Sequence, residues 1–286
     1  FSRIIIVHFV DFNFLIIENK FSRHGYHISI IKKYGEIYGQ NIQRMRTNIG
    51  NEYWHTDSTY RPISSKCAIL SAVKVAPKGG ETELADMRSA YADLKESIKN
   101  RICDLGAYHS NLYSQANDLG DFPYEGINRF NYHGEAPLRP LVKIHPETGI
   151  KNLFVGRHAF GIPGLSRKES RELLNSLLAF VVSDKTRVYK HKWEVGDTLI
   201  WDNRRLLHRA KPYDYGSPRV LIGTRVAGEV ESELACYPSD PKAQAGRDAL
   251  KSELALLRKE AEGKKFWGST AISSIPETLN DGSVLY

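Results

Sequence analysis

The chain has 286 residues, 41% of them hydrophobic and 26% charged, a balance that supports a packed core and excludes intrinsic disorder. Its formal net charge is +7, but the cations are interspersed with acids, and Lys32-Lys33, Arg204-Arg205 and Lys264-Lys265 are isolated pairs. The clustered basic face that tracks phosphates is therefore missing, and no nucleic-acid partner is expected. Three widely separated cysteines, Cys67, Cys103 and Cys236, argue against a disulfide framework or zinc ribbon and point to a reducing, cytoplasmic setting.

Residues 1–17 are strongly apolar, yet Arg3, His8, Asp11 and Asn13 interrupt them. No run reaches the roughly 18 apolar residues that span a bilayer, and no small-residue cleavage pattern follows, so neither a membrane span nor a signal peptide is expected. Residues 14–17 read as a buried strand, and 27–34 carry apolar residues at helical intervals. Residues 54–57 read as a strand, on which His55 and Asp57 point the same way because side chains alternate. A second apolar strand over 67–75 would bury Cys67 as an inert thiol, and Pro77-Lys78-Gly79-Gly80 is a turn by composition. Asp86 is placed to cap a helix running through Tyr91, Leu94 and Ile98. Residues 110–137, rich in Gly, Asn, Tyr and Asp without clear periodicity, read as a long functional loop.

Further along, residues 143–154 read as a hairpin turning at Pro146-Glu147-Thr148-Gly149. Ser166 and Glu169 form a capping box opening a helix, whose stripe is Leu173, Leu177 and Val181, widened by Leu174 and Leu178. Strands are expected over 186–190, 193–201 and 220–226. Asp240-Pro241 then opens a helix on which Leu250, Leu254, Leu257 and Ala261 make one stripe before Gly263 ends it. Such a stripe can pack on its own chain, build a homo-oligomer, or cover the active-site mouth, with Phe266-Trp267 as an anchor. Short strands with glycine turns and few helices predict a mainly β fold with peripheral helices, a sandwich or jelly roll. The expected division is a domain over 1–227 and a helical extension over 228–286.

Two imidazoles and a carboxylate stand out for function. His55 and Asp57 are joined by His208, which lies where the apolar run Ile200-Trp201 passes into polar residues. Two His and one carboxylate on one face of a metal, with the opposite positions open, is how non-haem Fe(II) oxygenases hold a cosubstrate and O2 together. Gly79-Gly80-Glu81-Thr82, Trp201-Asp202-Asn203 and Arg219 accompany the three. In order and in combination, over roughly residues 14–227, these motifs resemble the TauD/TfdA family of Fe(II)- and 2-oxoglutarate-dependent dioxygenases, nearer its 2,4-dichlorophenoxyacetate branch.

The resemblance implies a double-stranded β-helix, with His55, Asp57 and His208 as iron ligands and Thr82 and Arg219 holding the C5 carboxylate of 2-oxoglutarate. The planar, permanently charged guanidinium of Arg219 suits an enclosed carboxylate. The implied reaction is oxidation, foremost hydroxylation, of an unactivated C–H bond in a small molecule, with O2 consumed and succinate and CO2 formed. Desaturation or ring formation by the same machinery is one alternative, and a non-catalytic metal-binding jelly roll another. Asp57 argues against halogenation, whose enzymes in this group lack the carboxylate ligand.

The substrate side is less legible. Relatives carry a second arginine four positions beyond the 2-oxoglutarate arginine, where this chain has Gly223, so no taurine or phenoxyacetate preference carries over. Arg225 shares the inward parity of Arg219 and Gly223 and is the candidate replacement. His158 stands where the herbicide-degrading branch has a pocket histidine, Asn51 matches a position near the substrate, and Tyr108, Tyr113 and Phe160 are candidate apolar walls. Residues 35–51 are shorter than their counterpart in relatives, a region that helps cover the active site.

Overall fold

The computed structural model describes residues 4–6, 26–29, 43–123, 134–237 and 239–264. Strands β1 (Ile4–Ile6) and β2 (Tyr26–Ser29) precede helix α1 (Gln43–Gly50). Strands β3 (Ser65–Lys74) and β4 (Thr82–Asp86) lead to helices α2 (Met87–Asp93) and α3 (Glu96–Ile102), and β5 (Gly106–His109) to α4 (Asn111–Leu119). Strands β6 (Leu138–Pro140), β7 (Val142–Ile144), β8 (Lys151–Leu153) and β9 (Ala159–Phe160) come before the long helix α5 (Arg167–Ser183). Finally β10 (Val188–His191), β11 (Thr198–Asp202), β12 (Leu206–Ala210) and β13 (Val220–Ala227) lead to α6 (Val230–Glu233) and α7 (Gln244–Ala261).

Among the described residues the chain is sheet-rich with several helices. A five-stranded sheet runs β1-β11-β3-β13-β2, antiparallel except for the β1–β11 pair. A second, antiparallel sheet runs β10-β4-β12. Alternation along the strands turns Ala68, Leu70 and Ala72 of β3, Leu199 and Trp201 of β11 and Leu221 of β13 onto Leu84 and Leu206 of the second sheet, forming one core. The other face of β4 and β12 offers Ala85 and Leu207 to the stripe of α5, with Leu153 and Phe154 in the same layer. That stripe is the expected one: Leu173, Leu174, Leu177, Leu178 and Val181 are buried, and Ser166 and Glu169 make the reciprocal capping box. The β7–β8 hairpin also forms as expected, with Gly149 at φ 68° in its turn.

Several expectations are corrected. Residues 54–57 are not a strand: only His55 pairs, through a single bridge to His208. Ser58 takes a left-handed φ of 59°, and the chain leaves the sheet at Asp57. Residues 27–29 of the expected helix instead belong to β2, recruited by the edge of β13, a tertiary pairing that overrides local periodicity. The helix after Asp86 is broken in two, because Leu94 and Lys95 adopt extended backbone, although Leu94 and Ile98 still face the core as their spacing required. Residues 110–137 contain α4, capped by Ser110 Oγ and closed by Gly120 in the left-handed region. The strand expected to begin at Thr186 begins at Val188, after a one-turn helix capped by Asp184, and the one expected from Trp193 begins at Thr198, after a tight turn at Gly196. The expected strand over 14–17 and the Phe266-Trp267 anchor lie outside the described residues, and of residues 35–51 the described part carries α1.

Helix α7 starts at Gln244, later than Asp240-Pro241 suggested, with the Asp240 carboxylate accepting from Ala245 N–H at 2.6 Å. Its Leu250 and Leu257 are buried against Leu112 and Ala116 of α4 and Phe160 of β9, so the stripe packs on its own chain. Arg167 of α5 pins it from the side through Glu253 at 2.7 Å and Glu260 at 2.5 Å. No helix among the described residues is long and apolar enough to cross a membrane.

Candidate active site

His55 and His208 are brought together by backbone before side chains are considered. His55 N–H donates to His208 C=O at 3.0 Å and His208 N–H to His55 C=O at 2.9 Å, and the ring centroids lie 4.2 Å apart. Asp57 joins them, with Oδ2 3.2 Å from His208 Nε2 and Oδ1 3.9 Å from His55 Nε2. One ligand atom from each of the three lies within 4.8 Å of the others.

The protonation pattern fits a metal. His55 Nδ1 lies 2.7 Å from Tyr53 C=O, and since a carbonyl only accepts, Nδ1 carries the proton and Nε2 keeps its lone pair toward Asp57. Burial, reinforced by His208, pushes the His55 pKa down to about 3 and keeps the ring neutral. Burial alone would raise the Asp57 pKa, but the Arg225 guanidinium and then His208 outweigh it and hold the carboxyl well below the usual range. His208 Nδ1 is buried and has no hydrogen-bond partner, so the site leaves polar capacity that the protein does not itself satisfy. Two imidazoles, that of His55 neutral, and an ionised carboxylate converge as a donor set suited to a divalent first-row metal.

A cleft opens from this cluster. Besides His55 and His208 it is lined by Thr82, Arg219, Arg225 and Asn51, so six of the sequence-predicted site residues share it with Tyr213 and Tyr215. Arg219 is buried, donates to Gly80 C=O at 2.9 Å and lies 5.2 Å from the Tyr213 ring centroid. Gly80 sits at φ 73°, and a Cβ there would come within 2.9 Å of Arg219 Nε, so glycine is required on both counts. Thr82 Oγ1 accepts from Trp193 Nε1 at 3.0 Å, which fixes the hydroxyl beside the cleft. Behind Arg219, Tyr215 O–H donates to the buried Glu52 carboxyl at 2.7 Å. Burial pushes the Glu52 pKa up to about 8 against the opposing pull of Tyr215 and Arg219, so the acid is chiefly neutral near pH 7.

Gly223 and Arg225 stand two apart on β13, paired with Leu70 and Ala68 of β3. Arg225 thus shares the cleft-facing side, and its Nε forms a short ion pair with Asp57 Oδ2. His158 is buried on another side of His55, 6.0 Å from its ring, with Nδ1 2.8 Å from Ser114 Oγ and the Tyr60 ring 4.9 Å away. It does not line the cleft that holds Arg219. Tyr113 and Phe160 stack at 4.9 Å beneath α7, with Tyr108 beside them, and these three form a packing core rather than cleft walls. Sequence reasoning assigned nothing to Glu52, Tyr213 or Tyr215; their common signal was proximity in sequence to His55 or Arg219, too weak to use alone.

Residues 15–225 match the family model described as "Taurine catabolism dioxygenase TauD, TfdA family". The chain belongs to the TauD/TfdA family. It is 45% identical over 204 residues to the (S)-phenoxypropionate/alpha-ketoglutarate-dioxygenase of Sphingobium herbicidovorans, covering 70% of each chain. It is 37% identical over 195 residues to the alpha-ketoglutarate-dependent 2,4-dichlorophenoxyacetate dioxygenase of Cupriavidus pinatubonensis, covering 68% of this chain and 66% of that one. The crystal structure of AAD-2 in complex with Mn(II) and N-oxalylglycine superposes with a TM-score of 0.68 at 36% identity, covering 74% of this chain and 76% of that one. The matched stretches thus span about two thirds of these curated relatives' lengths. As a TauD/TfdA member the chain is a 2-oxoglutarate-dependent non-haem iron dioxygenase, using Fe(II), 2-oxoglutarate and O2 on a small organic molecule.

Proposed function

We propose that His55, Asp57 and His208 hold the Fe(II), that Thr82 and Arg219 hold the C5 carboxylate of 2-oxoglutarate, and that the substrate is a small organic acid of the aryloxyalkanoate type, which is hydroxylated. One observation carries the reading: a single cleft is lined by both metal-site histidines and by the buried Arg219 and Thr82. A metal site alone has no use for an enclosed guanidinium, whereas a dicarboxylate chelating a metal needs a cation at its far end.

The residues divide the work. Bound iron with 2-oxoglutarate and O2 supplies the oxidant for C–H hydroxylation, with succinate and CO2 as coproducts. His55 and His208 contribute imidazole nitrogen, His55 from a neutral ring, and Asp57 stays ionised because Arg225 and then His208 stabilise its charge. Arg219, held by Gly80 and Tyr213, is preset as a fork for the distal carboxylate, and the Thr82 hydroxyl, oriented by Trp193, completes its hydrogen bonds. Glu52 in its neutral form adds no negative charge behind that carboxylate.

For the substrate, Arg225 is the cation at the metal end of the cleft and takes the place that Gly223 leaves vacant, with Asn51 in the same cleft and His158 on another side of His55 as further polar candidates. The (S)-phenoxypropionate dioxygenase relative supports a carboxylate ligand there. Support for a double-stranded β-helix comes from the two facing sheets and the match to AAD-2, with 1–227 as the catalytic domain and 228–286 as a helical extension. Free thiols at all three cysteines favour a cytoplasmic setting. The test is a screen of phenoxyalkanoic acids against neutral phenyl ethers with Fe(II) and 2-oxoglutarate, reading succinate and hydroxylated product. Substrate-stimulated succinate from the acids is expected, and turnover confined to neutral compounds would overturn the substrate class.

A further inference from the structure

Asp57 differs from the two histidines in how it is held. The histidines exchange backbone hydrogen bonds, but Asp57 lies past the end of that bridge, at the start of a turn and next to left-handed Ser58. Nothing in a strand ladder fixes it. Its backbone is instead gripped by one side chain: Asn203 Oδ1 accepts from Asp57 N–H at 3.0 Å, and Asn203 Nδ2 donates to Asp57 C=O at 2.9 Å. The same Nδ2 donates to Ser65 C=O at 2.8 Å, and Asn203 N–H donates to Lys66 C=O at 3.0 Å. Asn203 is fully buried. It occupies the turn between β11 and β12, the strand that carries His208.

We propose that Asn203 is a positioning residue that sets the Asp57 carboxylate against His208, by clamping both backbone polar groups of Asp57 to the hairpin that bears that histidine. The assignment rests on the reading of Asp57 as a metal ligand. Its chemistry is restrictive. The pocket presents one N–H and two carbonyl oxygens, so the side chain must accept at one atom and donate twice from the other, which a carboxamide does and a carboxylate or hydroxyl does not. One amide therefore sets the mutual placement of two ligand-bearing segments that are distant in sequence, with no contact to metal or cosubstrate. Outer-shell groups that orient ligands are worth about tenfold to a hundredfold in metal affinity.

The test is anaerobic titration of the metal-free full chain with Co(II), read by its visible d–d absorption, beside thermal unfolding of the same metal-free samples. Asn203→Ala is expected to weaken Co(II) binding by about tenfold to a hundredfold and to alter the band shape. In an Asp57→Ala background the same substitution is expected to cost no further affinity, because the group it positions is gone. A lower unfolding temperature with parent-like affinity and spectrum, beside a clear loss in Asp57→Ala, would overturn the positioning role alone. An equal further loss in the Asp57→Ala background would also overturn it, as general loosening. Parent-like affinity in Asp57→Ala would overturn the ligand reading itself. Where Asn203→Ala does not fold, Asn203→Asp keeps the size and one acceptor but turns an oxygen toward two carbonyls. It is expected to lose affinity likewise, and parent-like binding there overturns the assignment.

Discussion

His55 and His208 are each other's backbone partners, N–H to C=O in both directions, so the two imidazoles are held at a fixed separation whether or not a metal lies between them. A site prearranged in this way loses little conformational freedom when it binds. Asp57, the third member of the candidate metal site, is the one whose backbone is held by a side chain from elsewhere.

With anaerobic Fe(II) and 2-oxoglutarate the protein is expected to show a weak visible charge-transfer band. His55→Ala, Asp57→Ala and His208→Ala are each expected to abolish it. Zn(II), Ni(II) and Cu(II) are expected to inhibit, since they bind such donors at least as well as Fe(II). Undiminished iron affinity in all three variants would remove the metal site from this cluster.

Arg219→Ala should raise the 2-oxoglutarate requirement while leaving iron binding nearly intact. Loss of a charge-assisted contact to an enclosed carboxylate costs about 2 to 5 kcal/mol, or roughly thirtyfold to several thousandfold in affinity. Titration of the cosubstrate against the iron-loaded variant checks this, and unchanged affinity would contradict it.

Gly80→Ala probes the same clamp from the backbone. A methyl group at φ 73° is strained by about 1 to 2 kcal/mol and presses on Arg219 Nε. The expected outcome is a lower unfolding midpoint together with a weaker 2-oxoglutarate requirement than Arg219→Ala produces. A stability loss with parent-like cosubstrate affinity would mean that Arg219 adjusts freely.

At the substrate end, Arg225→Ala should abolish turnover of a phenoxyalkanoic acid and scarcely change that of a neutral analogue. Taurine should be a poor substrate, because Arg225 offers its cation two positions further along β13 than the Gly223 place from which relatives project theirs. Tightly coupled taurine hydroxylation by the parent protein would refute that reading.

His109 supplies a pH dependence of stability away from the site. It is buried, neither ring nitrogen has a hydrogen-bond partner, and it stacks on Phe154 with centroids 6.0 Å apart. Burial, with Arg139 adding, pushes its pKa down to about 3 from 6.5. Between those values the unfolded chain binds the proton and the folded one does not, so stability falls as pH drops through that window, by up to about 1.4 kcal/mol per unit. His109→Phe is expected to flatten this acid limb, as denaturant unfolding at pH 7 and pH 5 would measure. Parallel limbs in both proteins would show that the ring is protonated in the fold.

The convergence of His55, Asp57 and His208, with Thr82 and Arg219 in the same cleft, was legible because each is announced by a local string of residues that chemistry restricts. Long-range placement was not. The position of Asp57 was inferred from strand parity, whereas Ser58 and Asn203 set it, a relationship that no spacing encodes. Helix α4 escaped notice because it is buried on nearly all sides, including the polar Asn111, Ser114 and Gln115, so it has no solvated face to give a 3.6-residue rhythm; only its caps, Ser110 and Gly120, marked it. Strand β2 was read by local periodicity, while the open edge of β13 decided its state.

The family match ends at residue 225, but the packing carries on past it into the helical extension. Leu250 and Leu257 roof Leu112, Ala116 and Phe160, and Arg167 reaches across to Glu253 and Glu260. A chain cut at the family boundary would leave an oily patch beside the segment carrying Ser114, the residue against which His158 is oriented. Anyone grafting this catalytic unit onto another protein, or shortening it for expression, has to carry α7 along as part of the enzyme's own interior.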